Sequence, residues 1–232
     1  MKNIVITAHS GCEGTPDNSM ESILKAIELG ADFVEIDIHT DPQGRMWLTH
    51  DVLEDYTNAV PLETALKTIR ENGIGVNCDL KEEKLLYPVL EAAEAAGIPR
   101  EKLVFSGSVN VELLRNDPEI IKRARIFLNI EQIFPHISGI KPQSKEEAPA
   151  FFDEHIDEIA ALVRELGVEC INPSFRMMPH ERIAAAHAHG IQLSLWTVNE
   201  EEDQARLLRE DLVNMTTRRP ESALRLRRQI RG

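Results

Sequence analysis

The chain of 232 residues is poor in cysteine, in positive charge and in long apolar runs. Its three cysteines, Cys12, Cys78 and Cys170, are odd in number and scattered without C-x-x-C spacing. Neither a disulfide framework nor a cysteine-built zinc site is therefore expected. The only apolar run near the N-terminus, Ile4 to Ala8, is too short for a signal-peptide core or a membrane span, so the expected location is cytoplasmic. Lysine and arginine number 26 against 39 aspartates and glutamates, a net charge of -13. Nucleic acid and anionic membrane would both be repelled at long range, so neither is expected as a main partner, while a local cationic site for phosphate is still allowed. Oligomeric state is not legible at this level.

No internal repeat or low-complexity segment interrupts the order of elements. Strand-like runs are Asn3–Ala8, Phe33–His39, Met46–Thr49, Val76–Leu80, Leu103–Ser106, Arg125–Leu128, Glu169–Asn172, Gln192–Thr197 and Leu212–Met215. Met46–Thr49 follows the turn Pro42-Gln43-Gly44 so closely that it reads as a continuation, leaving eight. Helical stripes such as Leu86, Val89, Leu90, Ala93 and Ile156, Ile159, Ala160, Val163 alternate with these strands. Strand then helix, repeated about eight times, predicts a single-domain α/β chain folded as a closed parallel (β/α)8 TIM barrel, with an open doubly wound sheet as the alternative. The stretch Glu131 to Glu154 lacks clean periodicity and suits either a cover over the barrel mouth or a plain surface excursion. Residues Arg218 to Arg231 read as a final amphipathic helix with a basic outer face.

The chemistry concentrates between Thr7 and Asp51. Asn18 is placed to cap a helix carrying Met20, Ile23, Leu24 and Ile27, with Glu21 completing a capping box and Gly30 ending it. In the next strand Glu35, Asp37 and His39 alternate with Val34, Ile36 and Ile38, so both carboxylates share a face. Val5, Thr7 and His9 share a face of the preceding strand, and His50 ends the following one. Further on, Asn77, Asp79 and Lys81 alternate with Val76, Cys78 and Leu80. Three carboxylates meeting at one barrel mouth would repel one another unless a divalent cation joined them, and all-oxygen donors suit Mg2+ or Ca2+. His9 and His50 are candidates to divide acid and base work, a role for which imidazole as a side-chain type is suited.

The motifs His9-Ser10-Gly11, Pro16-Asp17-Asn18-Ser19, Gly30-Ala31-Asp32 with Glu35-Ile36-Asp37, and His50-Asp51 resemble, in order and spacing, the opening motifs of the glycerophosphodiester phosphodiesterase family. Asp79-Leu80-Lys81 and Trp196-Thr197-Val198-Asn199 extend the resemblance, which runs from residue 6 to about residue 220 and is weakest in the middle third. The resemblance implies metal-dependent hydrolysis of a glycerophosphodiester or related small phosphodiester, with Glu35, Asp37 and Asp79 on the ion and His9 and His50 dividing proton transfer. It implies substrate contacts at Lys81, Ser10, Asn18 and Trp196, with Phe175 as a further apolar wall.

This chain departs from the family at Ser10, where an arginine that holds phosphate is usual, and at Asp17 and Asp79, where glutamates are usual. A serine supplies neither the charge nor the bidentate fork of arginine. The segment Val52 to Pro61 stands in place of a longer insertion after His50-Asp51, which leaves glycerol specificity open. Two other outcomes fit the same residues: a phospholipase D-like lyase that stops at a cyclic phosphate, and a barrel that binds phosphorylated ligands without turnover.

Overall fold

In the computed structural model, which describes residues 3–137 and 146–231, eight parallel strands surround a common axis. They are β1 (Val5–Ala8), β2 (Phe33–Thr40), β5 (Gly75–Leu80), β6 (Leu103–Gly107), β7 (Arg125–Asn129), β8 (Cys170–Asn172), β9 (Ser194–Leu195) and β10 (Asn214–Thr217). Pairing runs β8-β7-β6-β5-β2-β1-β10-β9. Parallel bridges from Ile171 to Leu193 and from Ser174 to Trp196 bring the two ends together, so the ring is nearly closed. The remaining strands, β3 (Met46–Leu48) and β4 (Val60–Pro61), form an antiparallel ribbon appended to β2 and lie outside the ring. Met46–Thr49 is thus a continuation of the β2 excursion, as its closeness to the turn predicts.

Helices on the outside seal the barrel. Leu62, Leu66 and Ile69 of the helix Leu62–Asn72, Leu86, Val89 and Leu90 of Leu86–Ala95, and Ile159, Leu162 and Leu166 of Ile156–Leu166 are all buried, each set spaced to form one stripe. The arginine-rich tail is the helix Pro220–Arg231, whose Arg227 pairs with Asp32 and closes the first strand–helix unit from below. Among the described residues no helix is long and apolar enough to cross a membrane. The barrel interior is not purely hydrocarbon: Thr7 Oγ1 donates to Asn214 Oδ1 at 2.7 Å, and Asn214 Nδ2 donates to Ser194 Oγ at 3.0 Å. This satisfied web lies one layer below the polar residues at the strand ends, so those residues rest on a fixed floor.

The first helix differs in detail from its expected form. It spans Met20–Leu29 and ends at Gly30, whose φ of 72° is left-handed, as predicted. Its N-cap, however, is Ser19, whose Oγ accepts from Ser22 N–H at 3.0 Å; Asn18 is freed for another task. Leu24 is 52% exposed rather than part of the buried stripe. Ser22 takes an inward position because its hydroxyl receives the Gly11 N–H at 2.9 Å, which rotates Ile23 and Ala26 into the core and Leu24 out of it. Of the region expected as a cover, the helix Ala148–Glu154 is described, whereas residues 138–145 lie outside the described residues.

Gly107 ends β6 at φ 77°, and a Cβ placed there would collide with Asp79 Oδ1 and with the Leu80 carbonyl oxygen. Gly107→Ala is expected to lose about 2 kcal/mol or more of stability in chemical denaturation, from left-handed strain plus overpacking. A stability unchanged within experimental scatter would contradict this packing of β6 against β5.

Candidate active site

Every strand of a parallel barrel delivers its last residues to the same rim, and six of the eight strand ends or following residues bring polar side chains to one cavity of about 260 Å3. Its lining is His9 after β1, Glu35 and Asp37 on β2, Asp79 on β5 with Lys81 just beyond it, Ser106 on β6, Asn129 on β7 and Asn172 on β8, completed by His50, Trp196 and Thr197. A wider open cleft of about 520 Å3 lies beside it between Gly11 and Arg218, and it contains neither histidine nor the carboxylate cluster.

Parallel register sets the ionic floor. Glu35 stands opposite Asn77 and Asp37 opposite Asp79, so neighbouring strands place their polar residues side by side. Asn77 Nδ2 donates to Glu35 Oε2 at 2.8 Å. Lys81 Nζ lies 2.8 Å from Asp37 Oδ1 and 2.5 Å from Asp79 Oδ2, joining the two aspartates. The alternation read in the sequence therefore points Lys81 at the ligand face and not into solvent. His9 Nδ1 is 2.8 Å from the Ser10 carbonyl oxygen, which can only accept, so Nδ1 carries hydrogen and Nε2 is turned toward Glu35 Oε1 at 3.5 Å.

These contacts divide the charges unequally. Burial, together with the nearby Asp79 and Asp37 charges, pushes the Glu35 carboxyl up to about 7, although His9 and Asn77 oppose the shift. Burial also opposes ionisation of Asp37, but the Lys81 ammonium and hydrogen bonds from Lys81 and Asn18 outweigh it and hold the group below its usual range. For Asp79 burial wins, and its carboxyl is raised despite Lys81. Burial disfavours the Lys81 charge, but Asp79 and Asp37 more than compensate and raise its pKa.

His50 and His9 arrive by different routes. His50 follows the β3 ribbon, where its Nδ1 is 3.0 Å from Asp51 Oδ1 and its side chain is 67% exposed. The ribbon is tied down by Thr49 N–H donating to the Asp37 carbonyl oxygen at 3.0 Å, which carries His50 to the cavity beside β2.

Three expected contacts, Ser10, Asn18 and Phe175, take other positions. Ser10 is buried, absent from the cavity lining, and its Oγ accepts the Asn18 N–H at 2.6 Å. Asn18, at φ 52°, clamps Asp37 from both sides: its Nδ2 donates to Asp37 Oδ2 at 2.8 Å and its Oδ1 accepts the Asp37 N–H at 3.0 Å. Ser10 and Asn18 thus hold the first loop and orient an aspartate, because the short serine is consumed by the backbone it supports. Phe175 is buried beneath Arg176, whose guanidinium is 5.1 Å from its ring, and does not line the cavity. His39, expected on the carboxylate face, pairs with Glu82 Oε1 at 3.1 Å outside the cavity. Trp196 does line it, with Nε1 donating to the Asn172 carbonyl oxygen at 2.8 Å. Ser106, Asn129 and Asn172 were not singled out from sequence, although the latter two are polar residues ending the apolar runs Ile126 to Leu128 and Cys170 to Ile171 at the rim.

The donor set fits a hard cation in chemistry and charge. Three carboxylates provide only oxygen, and one lysine stands among them. Among the described residues, however, no three His, Cys, Asp or Glu side chains converge as a ready ligand set, since Lys81 occupies the aspartates.

Residues 9–104 match the model of the Glycerophosphoryl diester phosphodiesterase family. A curated glycerophosphodiester phosphodiesterase from Caldanaerobacter subterraneus subsp. tengcongensis is 21% identical over 99% of both chains. The structure of a glycerophosphodiester phosphodiesterase from Parabacteroides distasonis superposes with a TM-score of 0.72 at 16% identity, over 98% of each chain. A phosphodiesterase from Oleispira antarctica, solved in complex with the product sn-glycerol-3-phosphate, gives 0.69 at 18% identity over 96% of each chain. The chain shares its barrel fold with these phosphodiesterases over nearly its whole length. The likeness to the glycerophosphoryl diester phosphodiesterase family is carried by residues 9–104 and by relatives about one-fifth identical along nearly the whole chain.

The raised Glu35 carboxyl has a definite linkage sign. A group whose folded pKa exceeds its unfolded value stabilises the fold below the unfolded value and loses that contribution as pH rises through the folded one. For metal-free protein, the unfolding free energy of wild type relative to Glu35→Gln is expected to fall by about 2 kcal/mol between pH 4.5 and pH 7. A pH-independent difference in urea melts would contradict the burial of an ionisable Glu35.

Proposed function

We propose that the chain hydrolyses a glycerophosphodiester or a related small phosphodiester to an alcohol and a phosphomonoester, with the whole barrel acting as one catalytic domain. The observation that carries this reading is the convergence of His9, His50, Lys81 and three carboxylates on one cavity from separate elements. Glu35, Asp37 and Asp79 are the residues that would hold a divalent cation, Mg2+ or Ca2+. When bound, such an ion supplies positive charge against the anionic phosphoryl group. Lys81 adds a fixed ammonium to the same task, and its aspartate partners keep it protonated.

In its neutral form His9 presents Nε2 without hydrogen because Nδ1 is committed to the Ser10 carbonyl, and this is the form a general base needs. It takes a proton from the attacking hydroxyl, either water or the neighbouring hydroxyl of the retained glycerol moiety, in which case water then opens the cyclic phosphate to the phosphomonoester. His50, at the exposed rim, exchanges protons with solvent and gives one to the departing alcohol oxygen. Asn18 acts indirectly by fixing Asp37, and Ser10 by fixing Asn18. Trp196 walls the alcohol side of the cavity.

Turnover of glycerophosphocholine is expected to disappear with a chelator and to return with Mg2+ or Ca2+. His9→Ala and His50→Ala are each expected to reduce kcat by about 10^2-fold or more. Unchanged rates in both variants would reject the histidine assignment, and a cyclic phosphate as the final phosphorus product would replace hydrolase with lyase.

A further inference from the structure

We infer that Asn129, oriented by Asn172, determines specificity by binding a hydroxyl of the substrate's alcohol group; this rests on the phosphodiesterase reading. In the ring order, β7 lies four positions from β1 and β8 four positions from β2, so Asn129 faces His9 across the mouth and Asn172 faces the Glu35–Asp37 strand. A phosphoryl group seated against the carboxylates, Lys81 and the histidines must therefore extend its alcohol toward the two asparagines. Asn129 and Asn172 are paired in the β7–β8 register and both line the cavity.

Their amides are locked together. Asn172 Nδ2 donates to Asn129 Oδ1 at 2.8 Å, while Asn172 itself is only 6% exposed and its Oδ1 has no hydrogen-bond partner. A buried amide left half satisfied costs stability, and a packed apolar side chain would avoid that cost. What this amide does is fix its neighbour. Once Asn129 Oδ1 is engaged by Asn172, the planar amide directs Asn129 Nδ2 away from that bond, and among the described residues it has no protein acceptor. Trp196 anchors the same strand end through the Asn172 carbonyl oxygen, so the backbone under the pair is held as well. A fixed, neutral N–H donor remote from the ionic floor suits a hydroxyl oxygen; Lys81 already serves the phosphoryl oxygens.

Direct binding tests this without requiring turnover. Isothermal calorimetry would compare glycerol 3-phosphate with n-propyl phosphate, which shares the phosphate and chain length but lacks the hydroxyls. Wild type is expected to bind glycerol 3-phosphate about tenfold more tightly. Asn129→Ala should abolish that preference by weakening glycerol 3-phosphate alone. Asn172→Ala should do the same, and the double variant should lose no more than either single one, because one residue acts through the other. Equal weakening of both ligands in Asn129→Ala would make the residue a phosphate contact and overturn the inference. So would an unchanged preference in that variant, or a wild type that does not distinguish the ligands. A protein that prefers glycerol 3-phosphate yet cleaves no diester would instead reject the hydrolase reading and leave this one standing.

Discussion

The site depends on holding three carboxylates together where water is scarce. Parallel register brings Asp37 beside Asp79 and keeps Glu35 on the same strand, so like charges crowd at a spacing no isolated peptide would tolerate. Lys81 relieves the two aspartates, Asn77 and His9 relieve Glu35, and Asn18 fixes Asp37 from the opposite side. Without these partners the strand ends would repel one another. The Glu35 carboxyl is pushed up to about 7 mainly by burial, with the neighbouring aspartates adding to it.

Much of the rest follows as support for that cluster. The Thr7–Asn214–Ser194 web lies beneath it, and Gly107 gives Asp79 room by having no side chain. The first loop is arranged for the same end. Ser10 uses its hydroxyl on Asn18, Asn18 uses its amide on Asp37, and the Arg218–Asp17 pair crosses directly over Gly11, where any Cβ would strike it. Where the family has arginine after the first histidine, this chain has a residue wholly occupied with loop geometry. The positive charge facing the carboxylates here comes from Lys81.

Repeating features were legible in the sequence, and single contacts were not. Eight strands and their order could be read because each is an apolar run between helical stripes, and the parity of Glu35, Asp37, Asp79 and Lys81 followed from the two-residue period of a strand. His39 has the same parity yet turns outward, because Glu82 lies across the pairing and also accepts from Thr40 N–H; such a partner, 43 positions away, leaves no local signal. Asn18 and Ser19 are both good caps, and only the demand of Asp37 decides between them. Asn129 and Asn172 lay in the weakest third of the family match and just beyond it, where a polar residue closing an apolar strand could equally be the start of an ordinary loop.

The appended ribbon separates two kinds of change. Because β3 and β4 hang on β2 outside the ring, the connection from Val52 to Pro61 can lengthen without altering any rung of the barrel ladder, and a longer surface loop costs only slowly increasing closure entropy. The ionic floor, by contrast, is built into the ladder itself. Lengthening there can therefore reshape the surroundings of the exposed His50 while Glu35, Asp37 and Asp79 keep their places in the ladder.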